Sequence, residues 1–453
     1  MEKLGVVISR NPPTELAFEF EVTEPGSVAT GDFIEVPVEG GTLLARVVSV
    51  QAINAALSEV GVVSEASEYG LRLPASTLLA ASEVQVARAR ALEVVTASGE
   101  LVPPMLPPSP GTPVYPASRD YLMRLLGLRE GGVRLGELWR VGVEALLDAD
   151  TLVRHHVAVV GATGSGKSHT LGVLAEELLD HGYPVVVVDV HGEYGFLEGE
   201  GYRVRRARIT EVLLKPGLLS PDAVAEATEM TEVQRDLLHL AYEESDGVEL
   251  SDIISSVEST AERYGFRRET VIGVVRRLRT LKAMGIFTGG GGAGPPEELV
   301  EEGRATILDA GLGLPDRATG ALVGSIAWAL FELRRTNDVP GFALIVDEAQ
   351  RFLPQDEDVF SKRALRVMAR EGRKFGVGLM VASQRVVGLD KDVLSQCGTK
   401  IVLRMDSATD LAMLKPLLGS SLRLVPHLPR GIALVAGVAV RYPVLVKVRP
   451  RKG

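Results

Sequence analysis

The stretch Val159-Val-Gly161-Ala-Thr-Gly-Ser-Gly166-Lys167-Ser168-His-Thr170 decides the fold. An apolar run, His156-Val-Ala-Val-Val160, precedes the glycines and reads as a buried strand. Leu171, Leu174, Ala175 and Leu178 follow at helical spacing. A strand, a glycine-rich turn and a helix start in that order form a phosphate-binding loop. Glycines let backbone N–H groups come close to phosphate oxygens, and the helix presents its positive end to the anion. Gly161, Ala162, Thr163, Gly164, Ser165, Gly166, Lys167, Ser168 and His169 are the candidate cofactor-binding residues, and ATP with Mg²⁺ is the expected cofactor. Lys167 is expected to reach the β/γ-phosphates, and the Ser168 hydroxyl is a candidate metal ligand.

A second motif belongs with such a loop. Phe342-Ala-Leu-Ile-Val-Asp347-Glu348 is an apolar strand ending in two carboxylates. Asp347 is the candidate to complete the Mg²⁺ environment, and Glu348 the candidate to polarise the attacking water. Leu379-Met-Val-Ala-Ser383-Gln384-Arg385 ends another strand in polar groups, and Gln384 is a candidate to sense the γ-phosphate or orient water. Asp189-Val-His191-Gly-Glu193-Tyr194 closes a third strand. There, Asp189 or Glu193 reads either as an outer metal-shell residue or as part of a structural turn. His155, His156 and His191 lack zinc-type spacing and a cysteine partner.

Composition bounds the rest. The 453 residues carry a net charge of −10, which argues against a uniformly basic surface but leaves room for a local basic channel. A single cysteine, Cys397, excludes an intrachain disulfide. No signal peptide or membrane-length apolar run occurs, so the expectation is a cytoplasmic protein without a membrane partner. Short β-branched runs punctuated by glycines over residues 1–102 predict a small β-barrel. Residues 103–150 read as a linker and lead-in, because Pro103–Pro116 holds seven prolines in fourteen residues. Alternating strands and helices over 151–210 and 289–453 predict an α/β core with a parallel sheet and a C-terminal tail. Residues 211–288 read as a helical insert, opening on Ser220-Pro221 and the capping box Thr231–Gln234. The glycine run 289–292 reads as a loop behind it.

Arg363, Arg366, Arg370 and Arg373 form a basic stripe at helical spacing. It reads as a nucleic-acid track, as a finger for a neighbouring subunit, or as a solvated face balanced by Glu371 and the acids at 356–358. Arg276, Arg277, Arg279 and Lys282 form a second basic cluster, and Lys447–Lys452 a basic tail.

In this order, Gly161–Thr170, Asp189–Tyr194, Val346–Gln350, Arg370-Glu-Gly-Arg-Lys-Phe-Gly376, Ser383-Gln-Arg385, Leu394-Ser-Gln396 and Leu403-Arg404 resemble the HerA family of hexameric DNA translocases, within the HerA/FtsK group of P-loop ATPases. The resemblance spans roughly residues 150–450, and the N-terminal region matches the family's barrel by position and texture. It implies a RecA-like core, a homohexameric ring, duplex DNA in the pore, and a NurA-type nuclease as partner in DNA end resection. By position it makes Lys167 the loop lysine, Glu348 the catalytic glutamate, Arg373 a trans-acting finger and Arg154 a second nucleotide-sensing arginine. Arg385-Val386 departs from the Arg-Pro common in relatives. Two readings from other classes stand beside it. One is a conjugation- or secretion-type motor moving single-stranded DNA or protein; the other is a nucleotide switch without motor activity.

Overall fold

The computed structural model describes residues 2–54, 83–214, 220–245, 250–283, 293–311 and 313–452. The glycine run 289–292 lies outside them. The chain forms two compact units, one of Met1–Leu128 with Arg140–Val143 and one of Arg129–Trp139 with Glu144–Gly453.

The first unit is a β-barrel. Its strands are β1 (Gly5–Ile8), β2 (Ala17–Val22), β3 (Phe33–Val38), β4 (Gly41–Asn54), β5 (Glu83–Thr96), β6 (Leu101–Val102) and β7 (Pro113–Pro116), followed by helix α1 (Arg119–Leu126). They run in the order β2-β1-β7-β3-β4-β5, the β2–β5 pairing closes the ring, and β6 adds to β5. Alternation sends Phe18, Phe20, Ile34, Val36, Leu43, Ala87 and Val114 inward as one core.

The proline-rich stretch is therefore not a linker. Its end is a barrel strand, with Val114 opposite Gly5 and Tyr115 opposite Glu35. Pro113 and Pro116 occupy the ends of this strand, where a missing N–H costs least. The fixed φ of proline also lies close to extended geometry, so proline density alone did not distinguish a linker from a short strand.

The second unit opens with β8 (Val133–Leu138), β9 (Glu144–Leu147) and α2 (Ala149–His155). Then come β10 (Val157–Val160), α3 (Lys167–Asp180), β11 (Val185–Asp189) and β12 (Arg203–Arg208). Among the described residues, four α-helices stand between β12 and β13 (Arg304–Asp309): α4 (Pro221–Ala227), α5 (Glu232–Glu243), α6 (Leu250–Tyr264) and α7 (Arg268–Ala283). The remainder is α8 (Asp316–Arg335), β14 (Phe342–Val346), α9 (Phe360–Phe375), β15 (Val377–Ser383), α10 (Lys391–Gln396), β16 (Thr399–Val402), α11 (Ala408–Leu418), β17 (Ile432–Gly437) and β18 (Val444–Val448).

One 11-stranded sheet organises the unit, in the order β12-β13-β11-β14-β15-β10-β16-β17-β18-β8-β9. Pairing is parallel from β12 to β16 and antiparallel from β16 onward. The central strands, such as Val185–Val188 and Phe342–Val346, are buried on both faces, which explains their unbroken apolar runs. Strand β12, Arg-Val-Arg-Arg-Ala-Arg, escaped the apolar-run criterion. It lies at the sheet edge, where charge is tolerated and deters edge-to-edge pairing. Strands β8 and β9 lie ahead of residue 151, so the core sheet recruits residues that the sequence reading placed in the lead-in. Ser220 caps α4 by accepting from the Ala223 N–H, with Pro221 in its first turn, and the Thr231–Gln234 box opens α5. No helix among the described residues is long and apolar enough to cross a membrane.

Candidate functional site

Five adjacent strands, β11, β14, β15, β10 and β16, end side by side, and the polar motifs occupy their carboxyl ends. Ligands of open α/β sheets bind in this position. The loop after β10 is held from both sides, by Gly161 N–H to the Ser383 carbonyl at 3.3 Å and Ala162 N–H to the Arg404 carbonyl at 2.8 Å. Gly161 lacks room for a side chain, since a Cβ there would meet Leu403 Cβ at 2.8 Å. Gly164 and Gly166 have φ of +73° and +111°, and the space in front of them is open. That open concavity of backbone ahead of the α3 N-terminus fits a phosphate chain.

Lys167 is buried, and among the described residues its ammonium hydrogen-bonds only the Ala162 carbonyl, at 3.3 Å. Burial holds its pKa below the usual lysine value, against the upward pull of Glu348, Asp347 and Glu193. A buried ammonium that no carboxylate contacts is placed to pair with an anionic ligand. Asp347 is also buried, which raises its pKa against hydrogen bonds from the Glu348 N–H, Ser168 and the Tyr194 hydroxyl. Ser168 and Asp347 are thus adjacent hard oxygen donors of the kind Mg²⁺ takes.

Glu348 stands at φ +47°, ψ +43°, a left-handed conformation that a non-glycine residue rarely adopts. The bend turns its carboxylate back toward two amides. Gln384 donates to it at 2.9 Å, and Gln350 donates to the other oxygen. The Thr163 hydroxyl donates to the Gln384 Oε1 at 2.7 Å. A continuous chain of side chains therefore joins the phosphate loop, Gln384 and Glu348.

Asp189 resolves toward the turn. Its carboxylate accepts from the N–H groups of His191, Gly192, Glu193 and Tyr194 at 2.8–3.2 Å. This turn seats the buried Tyr194, whose hydroxyl lies 3.2 Å from Asp347. Burial, then Asp347, pushes the Tyr194 pKa far above its ordinary value, so it stays a neutral donor. His156 bridges β15 and α9, accepting at Nδ1 from the Leu379 N–H at 3.0 Å with Nε2 2.9 Å from the Ala369 carbonyl. Burial pushes its pKa down to about 4. Among the described residues no cluster of three or more His, Cys, Asp or Glu forms a metal centre.

Two cofactor candidates have side chains engaged elsewhere. The His169 ring lies 2.9 Å from the Arg449 carbonyl, and Arg154 pairs with Asp150 at 3.2 Å. In the basic stripe, Arg363 faces Glu226 at 3.7 Å, Arg366 holds Asp390 at 2.5 Å, and Arg370 holds Asp392 at 3.0 Å. Of the acids expected from the sequence, Asp358 still adds its charge near Arg366 beside these partners. Arg373, at the end of α9, is exposed and has no ion-pair partner among the described residues. Burial, followed by the charges of Arg373 and Arg154, lowers the pKa of His155, which places both arginines near that ring. Sequence reasoning missed the roles of Tyr194 and Gln350. Both lay inside quoted motifs, but only the fold shows which carboxylate each side chain meets.

The family described as "Helicase HerA, central domain" matches residues 133–327. A Pyrococcus furiosus protein named DNA double-strand break repair helicase HerA is 29% identical over 99% of this chain and 92% of its own length. The solved structure of VirB4 of Thermoanaerobacter pseudethanolicus superposes with a TM-score of 0.55 at 18% identity, covering 71% of this chain and 98% of that one. The bacterial conjugative coupling protein TrwBdeltaN70 gives 0.52 at 16% identity, covering 74% and 95%. At those identities the two structures show a shared fold.

Proposed function

The chain belongs to the HerA helicase family, and on that footing we propose that it is an ATP-driven DNA translocase. In this reading it forms a cytoplasmic homohexameric ring that threads duplex DNA and works with a NurA-type nuclease at broken DNA ends. The observation that carries the reading is the Thr163–Gln384–Glu348 chain, which ties the water-polarising carboxylate to the loop that holds the phosphates.

Gly161–Ser168 cradle the ATP phosphates with backbone N–H groups, and the Lys167 ammonium turns from the Ala162 carbonyl to the β/γ-phosphates. Ser168 and Asp347 would hold Mg²⁺, which would supply positive charge to offset that of the phosphates. Glu348 orients and polarises the attacking water, and Gln384 reports the state of the loop to it. Arg373 is suited to act in trans, because the other stripe arginines are neutralised within their own chain and it is not. Arg154 stands near it, paired with Asp150, and would leave that pair to serve as a second cation for the same phosphates.

ATP turnover with and without duplex DNA, alongside particle imaging, tests the proposal. Duplex DNA is expected to stimulate turnover, and a six-fold ring to be seen. Glu348→Gln is expected to bind ATP and DNA while hydrolysis collapses. DNA affinity should fall with salt at about 0.9 log units per log unit of salt for each phosphate neutralised, with little sequence preference. Stimulation by single-stranded DNA alone would turn the reading to a conjugation-type motor. Absence of any stimulation would turn it to a nucleotide switch.

A further inference from the structure

The basic tail behind β18 lies along the helix of the phosphate loop. Arg449 pairs with Glu176 at 2.7 Å and Glu177 at 2.8 Å, and the Lys452 N–H donates to Glu176 at 3.1 Å. Glu176 and Glu177 are buried on α3, so the tail supplies their counter-charge. Between these anchors, Arg451 reaches the first turn of the helix. Its Nη2 donates to the Ser168 carbonyl at 2.8 Å, and Nη1 lies 3.5 Å from the Glu193 carbonyl. The guanidinium stacks over the Phe196 ring at 4.0 Å. A residue near the end of the sequence therefore clasps the two segments that flank the metal-side carboxylate, the Ser168 turn and the Asp189–Tyr194 turn.

A second observation concerns α3 itself. Gly172 sits in the helix interior, where glycine is a poor choice. A Cβ there would meet both the Arg451 Nε and the Phe196 Cζ at 2.8 Å. The glycine keeps open the space that the stacked pair occupies.

We propose that Arg451 is a positioning residue of the nucleotide site, whose grip on the Ser168 carbonyl sets the Ser168 hydroxyl against Asp347 and so shapes the Mg²⁺ edge of the site. This rests on the reading of Ser168 and Asp347 as the metal-side pair. Arg451 acts through the backbone of the helix and touches no reacting atom. The fork of the guanidinium is what the arrangement uses, since one head group serves two carbonyls and a ring face.

The test is equilibrium binding of a fluorescent ADP analogue, titrated once with Mg²⁺ and once with EDTA. The ratio of the two affinities is the readout. Arg451→Ala is expected to cut the Mg²⁺-dependent gain about tenfold, the equivalent of one charge-assisted hydrogen bond, while the EDTA affinity stays within about twofold. Gly172→Ala displaces the guanidinium while leaving its charge in place, and is expected to lower the ratio in the same way at unchanged thermal stability. It decides the matter should Arg451→Ala fail to fold. Arg451→Lys keeps the charge without the fork and is expected to behave as the alanine variant. A wild-type ratio in Arg451→Ala or Gly172→Ala, or full recovery in Arg451→Lys, would overturn the proposal. A ratio near one in the wild-type protein would overturn the metal-side reading itself, and this inference with it.

Discussion

Gln384→Ala isolates the chain between the phosphate loop and Glu348. The substitution removes a 2.9 Å hydrogen bond to a carboxylate and a 2.7 Å bond from a neutral hydroxyl. Hydrogen bonds to charged groups contribute about 1.5–3 kcal/mol and neutral ones about 0.5–1.5 kcal/mol. If both serve the transition state, their loss raises the barrier by about 2–4.5 kcal/mol, a fall in kcat of roughly 30- to 2,000-fold. Gln384 is only half-buried and lies beyond the end of β15, so the melting temperature is expected to change little. The assay is steady-state ATP hydrolysis at saturating nucleotide, with KM expected within about threefold of wild type because the phosphate cradle is intact. Thr163→Val sharpens the test, since the Thr163 hydroxyl is expected to act through Gln384. The double variant should then be no slower than Gln384→Ala by more than about twofold. A Gln384→Ala enzyme within about threefold of wild type would refute the coupling, and fully additive losses would refute the order of the chain.

Lys167→Ala should lose most turnover and nucleotide affinity while keeping the native circular dichroism spectrum, and unchanged hydrolysis would remove the loop from the mechanism. Mixing Lys167→Ala and Arg373→Ala proteins, each nearly inactive alone, should restore hydrolysis at interfaces that combine an intact loop with an intact Arg373. No recovery, once exchange of differently tagged subunits is demonstrated, would reject action in trans. Asp390 is buried against Lys362 and the half-buried Arg366 and also caps α10, so Asp390→Ala should destabilise the fold by about 3 kcal/mol in denaturant titration, chiefly because the buried Lys362 loses its carboxylate. His156 has a folded-state pKa of about 4 against the usual 6.5, so the unfolded chain binds the proton first. The stability this supplies is complete above pH ~6.5 and is lost as pH falls toward 4, by about 3 kcal/mol in all. A His156→Gln variant should show a shallower fall in melting temperature over that window, and an identical slope would refute the assignment.

The central sheet was legible because burial on both faces forces continuous apolar runs, as at Val185–Val188 and Phe342–Val346. The phosphate loop was legible because its glycines serve local geometry. Strand β12 was not, since an edge strand can consist largely of arginine, nor was the strand at Pro113–Pro116, where proline density masked a pairing set by distant residues. Asp189 illustrates the limit at the site. Its position at a strand end fits a metal shell and a turn equally, and only four converging N–H groups decide for the turn. The stripe on α9 shows the same limit for charge. Helical spacing reveals that Arg363, Arg366 and Arg370 share a face, while their partners Glu226, Asp390 and Asp392 come from other elements. Arg451 lay within a run read only as basic, because its target carbonyl is 283 residues away in sequence.

The left-handed backbone at Glu348 has an evolutionary corollary. A side chain in that conformation costs the fold about 1–2 kcal/mol that glycine would not. Selection for folding alone would therefore drive position 348 toward Gly or Asn, and under the proposed role of Glu348 it is selection for hydrolysis that would keep a carboxylate there. In a lineage released from the need to turn over ATP, this codon would be among the first to drift, and the drifted protein would be more stable than its ancestor. Stability and chemistry pull this position in opposite directions, as expected where a protein tolerates strain for the sake of activity.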